Sequence, residues 1–245
     1  MKYSIIVPCA GNASRLNIPF SKSLFPLKKG VVLIDHLFDI FYDYKSKIKF
    51  VFIINEFCLD IVSYLYKYST SFNFCFIFQK QSCPGMFGAV ESAKEEFSDY
   101  NLVLLPDTIL HFGFDKNQYF PQVVSQLKKH DLVFTISTNL SEKQLFDEGV
   151  VFLSSEKENT IIEIIDKPHE LIYKPEYISL KKGAWVSVAF SSSISDDILI
   201  TMQKNILGTP FSNLNFQLLK KAGIVTIDNF YDLGVWSRIY EYFSR

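Results

Sequence analysis

Residues 4–16 read SIIVPCAGNASRL, and the stretch from Ser4 to Leu16 decides the fold. Ser4 to Pro8 is a short apolar run rich in β-branched side chains, the pattern of a strand buried on both faces. It runs directly into a loop of small residues. In an open α/β sheet such a loop lies at the carboxyl edge of the first parallel strand, where ligands bind. Small side chains at Ala10, Gly11 and Ala13 let backbone N–H groups approach phosphate oxygens closely. Arg15, and Lys22 in the following SKSLFPL (residues 21–27), would supply the charge that phosphate groups require. The string fits neither GxGxxG nor the Walker pattern ending in GKS or GKT, so neither a dinucleotide fold nor a P-loop NTPase is supported. By itself, a strand-to-helix turn with two surface cations accounts for the loop equally well.

Downstream, strand-length apolar runs alternate with segments of helical period. Leu33, Ile34, Leu37, Phe38 and Phe41 recur at helical spacing, and Lys49 to Ile54 is a second strand. Phe57 to Tyr68 is a helix, Phe74 to Phe78 a strand, and Met86 to Phe97 a helix. A fourth strand, Leu102 to Leu105, ends at Pro106; a helix over about Tyr119 to Lys129 then leads to the strand Leu132 to Ser137. Regular strand–helix alternation predicts an α/β fold with a mixed, mostly parallel sheet and helices on both faces. After about residue 140 the rhythm changes. Gly149 to Leu153 and Thr160 to Ile165 flank the polar turn SSEKEN and read as a hairpin. Gly183 to Phe190 is a further strand, followed by helices over Asp196 to Lys204 and Asn213 to Lys221. A strand from Ile224 to Ile227 and a helix from Val235 close the chain. With no repeat and no linker-like tract, residues 1–245 are expected to form one domain.

Bulk composition narrows the function classes. Lys and Arg total 25 against 26 Asp and Glu, a formal net charge of −1. No basic stripe is present to grip a phosphate backbone, so nucleic acid is not expected as a partner. The 24 Phe and 13 Tyr are read as an aromatic core rather than a base-stacking surface. Cys9, Cys58, Cys75 and Cys83 have no CxxC spacing and read as free thiols of a reducing, cytoplasmic compartment, Cys58 and Cys75 as core residues. The short apolar stretch from Ile5 to Ala10 does not read as a signal segment, and no membrane span is expected. The four histidines are scattered and receive no catalytic role.

Five strings, taken in order, resemble the sugar-1-phosphate nucleotidyltransferases (nucleoside-diphosphate-sugar pyrophosphorylases). AGNASRL followed by SKSLFPL is similar to that family's GGxGTRL…PKxLLP signature, and Pro8-Cys9-Ala10-Gly11 to the PAAG of its glucose-1-phosphate uridylyltransferases. LLPDTIL (residues 104–110) resembles the motif whose aspartate binds magnesium, IIEIIDKP (residues 161–168) the EKP motif, GAWVSVAF (residues 183–190) a strand lining the sugar pocket, and FYDLGVW (residues 230–236) the late W-x-D-x-G motif. Gln79 or Gln81, ahead of Pro84 and Gly85, is similar to a glutamine-then-glycine element that reads the base.

The resemblance implies a Rossmann-like, GT-A-like nucleotidyltransferase fold, with residues 1–140 binding nucleotide and residues 141–245 binding the sugar phosphate. It implies transfer of a nucleoside monophosphate from an NTP (UTP or dTTP) to a sugar 1-phosphate, with Mg²⁺ as cofactor and pyrophosphate as product. Such NDP-sugars supply polysaccharide synthesis. By the same resemblance Ala10, Gly11, Asn12, Ala13 and Ser14 cradle the nucleotide phosphates. Arg15 and Lys22 activate them, and Gln79, Gln81 and Gly85 lie at the base. Asp107 and Asp232 hold the metal, Asp107 beside the nucleotide, while Gly149, Asp166, Lys167 and Trp185 contact the sugar phosphate. Magnesium favours one or two carboxylates with phosphate oxygens and waters filling its other sites, which suits two strand-end aspartates. A homodimer is allowed. Ala13 and Ser14 stand where the family has Gly and Thr, and Asp166 replaces the Glu of EKP. Taken singly, Asp107 also reads as a helix cap or turn residue, Lys167 as a turn lysine and Asp232 as a helix-start residue. Two other readings stand beside this one: a cytidylyltransferase acting on phosphocholine or a polyol phosphate, and a non-catalytic nucleotide-sensing paralogue.

Overall fold

The computed structural model describes residues 2–11, 16–154, 160–203 and 217–244. The chain forms two compact units, residues 1–110 with 230–245, and residues 111–229. In chain order the strands are β1 (Tyr3–Pro8), β2 (Pro26–Lys28), β3 (Val31–Val32), β4 (Ile48–Ile54), β5 (Asn73–Phe78), β6 (Tyr100–Leu104), β7 (Thr108–His111), β8 (Leu132–Ser137), β9 (Gly149–Leu153), β10 (Ile161–Asp166), β11 (Lys181–Ser191), β12 (Gly223–Ile227) and β13 (Asn229–Asp232).

In the first unit, β6, β1, β4 and β5 pair in that order, all parallel. Ile5, Ile6 and Val7 are fully buried, as are Phe50 to Ile53 of β4. Strands covered on both faces need such unbroken apolar runs. The helices Asp35–Phe41, Leu59–Leu65 and Gly85–Ser92 join them, so the alternation legible in the sequence is the alternation observed. The phenylalanines do build a core. The Phe38 ring lies 5.2 Å from both Phe50 and Phe72, and Phe50 stacks on Phe52 at 5.7 Å. Cys9 and Cys58 are buried, but Cys75 is only half-buried, a correction that follows from its place on β5, the end strand of this unit's order.

One buried carboxylate ties the helices together. Asp35 accepts from the Val32 N–H at 2.9 Å, the Tyr64 hydroxyl at 2.6 Å and the Tyr68 hydroxyl at 2.8 Å, with the Lys67 ammonium at 3.4 Å. Burial, and then the Asp35 carboxylate, push both phenols' pKa values upward, so they remain donors.

In the second unit the order is β10-β9-β11-β8-β12. The pairs β10–β9, β9–β11 and β11–β8 are antiparallel, and β12–β8 is parallel. The expected hairpin is present, with Asp166 opposite Gly149; residues 155–159 of its turn lie outside the described residues. Tyr119, at the start of the helix Tyr119–Leu127, is fully buried with its hydroxyl 2.9 Å from both Thr135 Oγ1 and Ser187 Oγ. Of the helix expected over Asn213–Lys221, residues 213–216 are outside the described residues and 217–220 are helical. No helix among the described residues is long and apolar enough to cross a membrane.

Short elements were not anticipated: the β2–β3 pair, β7, β13 and the helix Pro175–Ile178. Strands of two to four residues carry too few side chains to display a period.

Because Asp35 holds three neutral donors, Asp35→Ala orphans them. We expect an unfolding free energy lower by about 1–3 kcal/mol in urea titration, with Tyr64→Phe and Tyr68→Phe each losing less. A variant as stable as the parent would show that the network contributes nothing.

Candidate functional site

The loop after β1 is held from below. The Cys9 N–H donates to the Ile53 carbonyl at 2.7 Å, and Asn55 Nδ2 to the Ala10 carbonyl at 2.6 Å. The buried Cys58 thiol lies 3.1 Å from the Cys9 carbonyl. Gly11 is exposed, and a Cβ added to it would meet nothing within 4 Å among the described residues. Asn12, Ala13, Ser14 and Arg15 lie outside the described residues. The chain re-enters the core at Leu16, whose carbonyl accepts from Trp236 Nε1 at 2.9 Å.

Lys22 opens the 3-10 turn Lys22–Leu24 and forms an ion pair with Asp107. Asp107 falls between β6 and β7, and the Asp107 carbonyl accepts from the Leu233 N–H at 2.8 Å. That bond, together with the β7–β13 pairing, brings Asp232 to the same place. Leu16, Leu33, Ile109, Leu233 and Ile239 form one buried cluster beneath, packing β7, the residue after β13 and the closing helix Trp236–Phe243 together.

Asp232 is held at both oxygens. Oδ1 accepts from the Gly234 N–H at 2.8 Å, and Oδ2 from Arg238 Nη1 at 2.9 Å. Burial raises the Asp232 pKa, and the negative charge of Asp107 raises it further; Arg238, the Gly234 N–H and Lys22 pull it down. Asp232 therefore feels the charge of Asp107. Such a donor set suits a divalent cation of the magnesium type, which takes one or two carboxylates and keeps sites for phosphate and water. Among the described residues no group of three or more His, Cys, Asp or Glu forms a closed cage.

Gln79 follows β5 and its N–H continues the β4 ladder to the Ile54 carbonyl at 2.9 Å. Its Nε2 donates to the Cys83 and Gly85 carbonyls at 2.8 and 3.1 Å, closing the turn ahead of the helix Gly85–Ser92. Two acceptor carbonyls fix the amide's orientation, leaving Oε1 as its acceptor. Gln81 is exposed. Gly85 has φ +79°, where a Cβ is costly. Gly88, which the sequence did not single out, would bring a Cβ to 2.3 Å from the Cys83 carbonyl oxygen. Arg238 is the other residue missed. Its place six positions past Asp232 carries no motif.

Within the second unit, Gly149, Asp166, Lys167 and Trp185 are also neighbours. Asp166 ends β10 opposite Gly149, and the Lys167 N–H donates to the Glu148 carbonyl at 2.9 Å. Gly149 lies against the Trp185 indole: a Cβ there would sit 2.0 Å from Nε1. Burial raises the Asp166 pKa, and the Lys167 charge partly offsets this.

No protein-family model matches the chain, and no curated protein matches its sequence. Solved structures match closely in shape. A protein assigned as a glucose-1-phosphate thymidylyltransferase of Bacillus anthracis superposes with a TM-score of 0.73 at 17% identity, over 98% of this chain and 93% of that one. A UTP-bound UDP-glucose pyrophosphorylase of Acinetobacter baumannii gives 0.72 at 13% identity, over 98% and 92%. A UDP-glucose pyrophosphorylase complexed with UDP-glucose gives 0.71 at 15% identity, over the full length of both chains. The fold is the Rossmann-like α/β fold of these nucleotidyltransferases, as the sequence motifs led us to expect.

The Gly149–Trp185 contact has a direct check. Gly149→Ala forces the indole to move, so tryptophan fluorescence should shift and stability fall by about 1–3 kcal/mol, the usual cost of overpacking. Adding Trp185→Phe should recover most of that loss. An unchanged spectrum in Gly149→Ala would mean the two groups are not in contact.

Proposed function

We propose that the chain is a metal-dependent nucleotidyltransferase that transfers a nucleoside monophosphate from UTP or dTTP to a sugar 1-phosphate and releases pyrophosphate. One observation carries this reading: Asp107, ion-paired with Lys22, lies close enough to Asp232 for its charge to raise the Asp232 pKa, in the unit that carries the first loop. The fold shared with UTP-bound and UDP-glucose-bound proteins supports it.

In this reading the backbone from Ala10 through Ser14 receives the triphosphate, and Arg15 and Lys22 neutralise its β- and γ-phosphates. Lys22 then exchanges Asp107 for a phosphate oxygen. Gln79 lies at the base together with Gly85. Because its amide N–H groups are engaged, its free Oε1 suits the N3–H donor of uracil or thymine and not the N3 acceptor of cytosine. Asp107 and Asp232 would hold Mg²⁺, which when bound supplies positive charge at the reacting phosphate and orients it. Lys167 binds the acceptor phosphate, and Gly149, Asp166 and Trp185 contact the sugar. An acceptor phosphate oxygen attacks the α-phosphorus, the bond from the α-phosphorus to the bridging oxygen breaks, and that electron pair leaves on pyrophosphate. No covalent intermediate with the protein is needed; positioning and charge neutralisation suffice. The four cysteines, all free, fit a reducing cytoplasm.

With Mg²⁺, a panel of NTPs and several sugar 1-phosphates, pyrophosphate release should be greatest with UTP or dTTP. Asp107→Ala should lower it by at least ~10²-fold, the scale of losing one transition-state contact, with thermal unfolding unchanged. A folded protein that is silent across the whole panel would overturn the assignment.

A further inference from the structure

Arg238 has no part in the function proposed above, yet it holds a carboxylate of the suggested metal pair. It sits in the first turn of the closing helix Trp236–Phe243, and packing fixes that helix. Trp236 donates to the Leu16 carbonyl and meets the Phe25 ring edge-on at 5.9 Å, and Ile239 belongs to the buried cluster. From this anchored position the guanidinium reaches Asp232 Oδ2 at 2.9 Å. Lys22 pairs with Asp107 in the same way, but from a short 3-10 turn.

The four groups sum to zero charge: two carboxylates, −2, against one lysine and one arginine, +2. A bare divalent cation arriving there would meet two positive charges already seated on the oxygens it needs. A metal–NTP complex differs, because the tetra-anionic triphosphate gives it a net charge of −2. It is attracted to both cations, and its phosphates offer Lys22 another partner. Arg238, tied to its helix, stays on Asp232.

We infer that Arg238 is a charge-balancing residue that keeps the carboxylate pair from taking up a divalent cation alone, so that metal and nucleotide enter as one complex. This rests on the reading of Asp107 and Asp232 as the metal pair. Asp232 does not need the arginine for its orientation alone, since the Gly234 N–H independently holds Oδ1.

The test is direct binding of Mn²⁺, followed by the paramagnetic resonance of the free ion, with and without a non-hydrolysable UTP analogue. The native protein should bind Mn²⁺ weakly alone and much more tightly with the analogue. Arg238→Met should bind Mn²⁺ alone at least tenfold more tightly, and the gain from the analogue should shrink by a similar factor. Arg238→Lys, which keeps the charge, should stay within about threefold of the native protein. If Arg238→Met fails to fold, Arg238→Gln, which can still donate to Oδ2 without a charge, reads the same quantity. Mn²⁺ affinity that is unchanged or weaker in the neutral variant would overturn the inference. Asp107→Ala in the Arg238→Met background separates the two levels. Loss of the gained binding places the ion at this pair, whereas its persistence would sink the metal-pair reading itself.

Discussion

The repulsion between Asp107 and Asp232 is the constraint that the first unit must satisfy. Asp107 is buried and Asp232 half-buried, and the negative charge of Asp107 adds to burial in raising the Asp232 pKa. A protein has no reason to assemble such a pair for stability. Each partner is instead matched by a cation, Lys22 on one and Arg238 on the other, and by a backbone N–H from Gly234. Buried like charges persist when surrounding groups compensate them, and they cluster where chemistry is done.

The compensation depends on packing that looks unremarkable in the sequence. Leu16, Leu33, Ile109, Leu233 and Ile239 come from five separate places and form one apolar cluster. It seats the end of the first loop, β7, the turn after β13 and the closing helix against one another. Leu233 serves twice: its side chain fills the cluster while its N–H holds the Asp107 carbonyl. The aspartates are thus positioned by their neighbours' side chains and main chain, while their own carboxylates face the two cations.

This explains what was legible beforehand. The central strands could be read because a strand buried on both faces must be apolar along its covered length, and Ile5–Val7 and Phe50–Ile54 are. Both aspartates and Lys22 were singled out by the resemblance of their strings to family motifs, and the first unit holds all three, Lys22 paired with Asp107. The device that joins the aspartates could not be read. The strands β7 and β13 have four residues each, too short to show a period, and Arg238 is one charge on a partly exposed helix. Gly88 was invisible for a similar reason. Its requirement comes from the Cys83 carbonyl packed against it, a contact with no pattern of its own. The choice between Gln79 and Gln81 also lay beyond composition. Only the turn through Cys83 and Gly85 sets them apart, one glutamine tied into it and the other exposed.

The Asp166–Lys167–Pro168 turn shows the same logic in the second unit. Lys167 has φ +50°, a left-handed conformation that costs a non-glycine residue about 1 kcal/mol or more. The following proline restricts it further, since the residue before Pro prefers extended backbone. The strain persists because the surroundings over-determine it: β10 pairs through Asp166 with Gly149, and the Lys167 N–H is caught by the Glu148 carbonyl at 2.9 Å. A lysine needed only for solubility would gain nothing from that conformation, and a glycine or asparagine would adopt it at lower cost. In the function proposed above, that strained backbone delivers the Lys167 ammonium beside a half-buried aspartate, where an anionic acceptor group would need it.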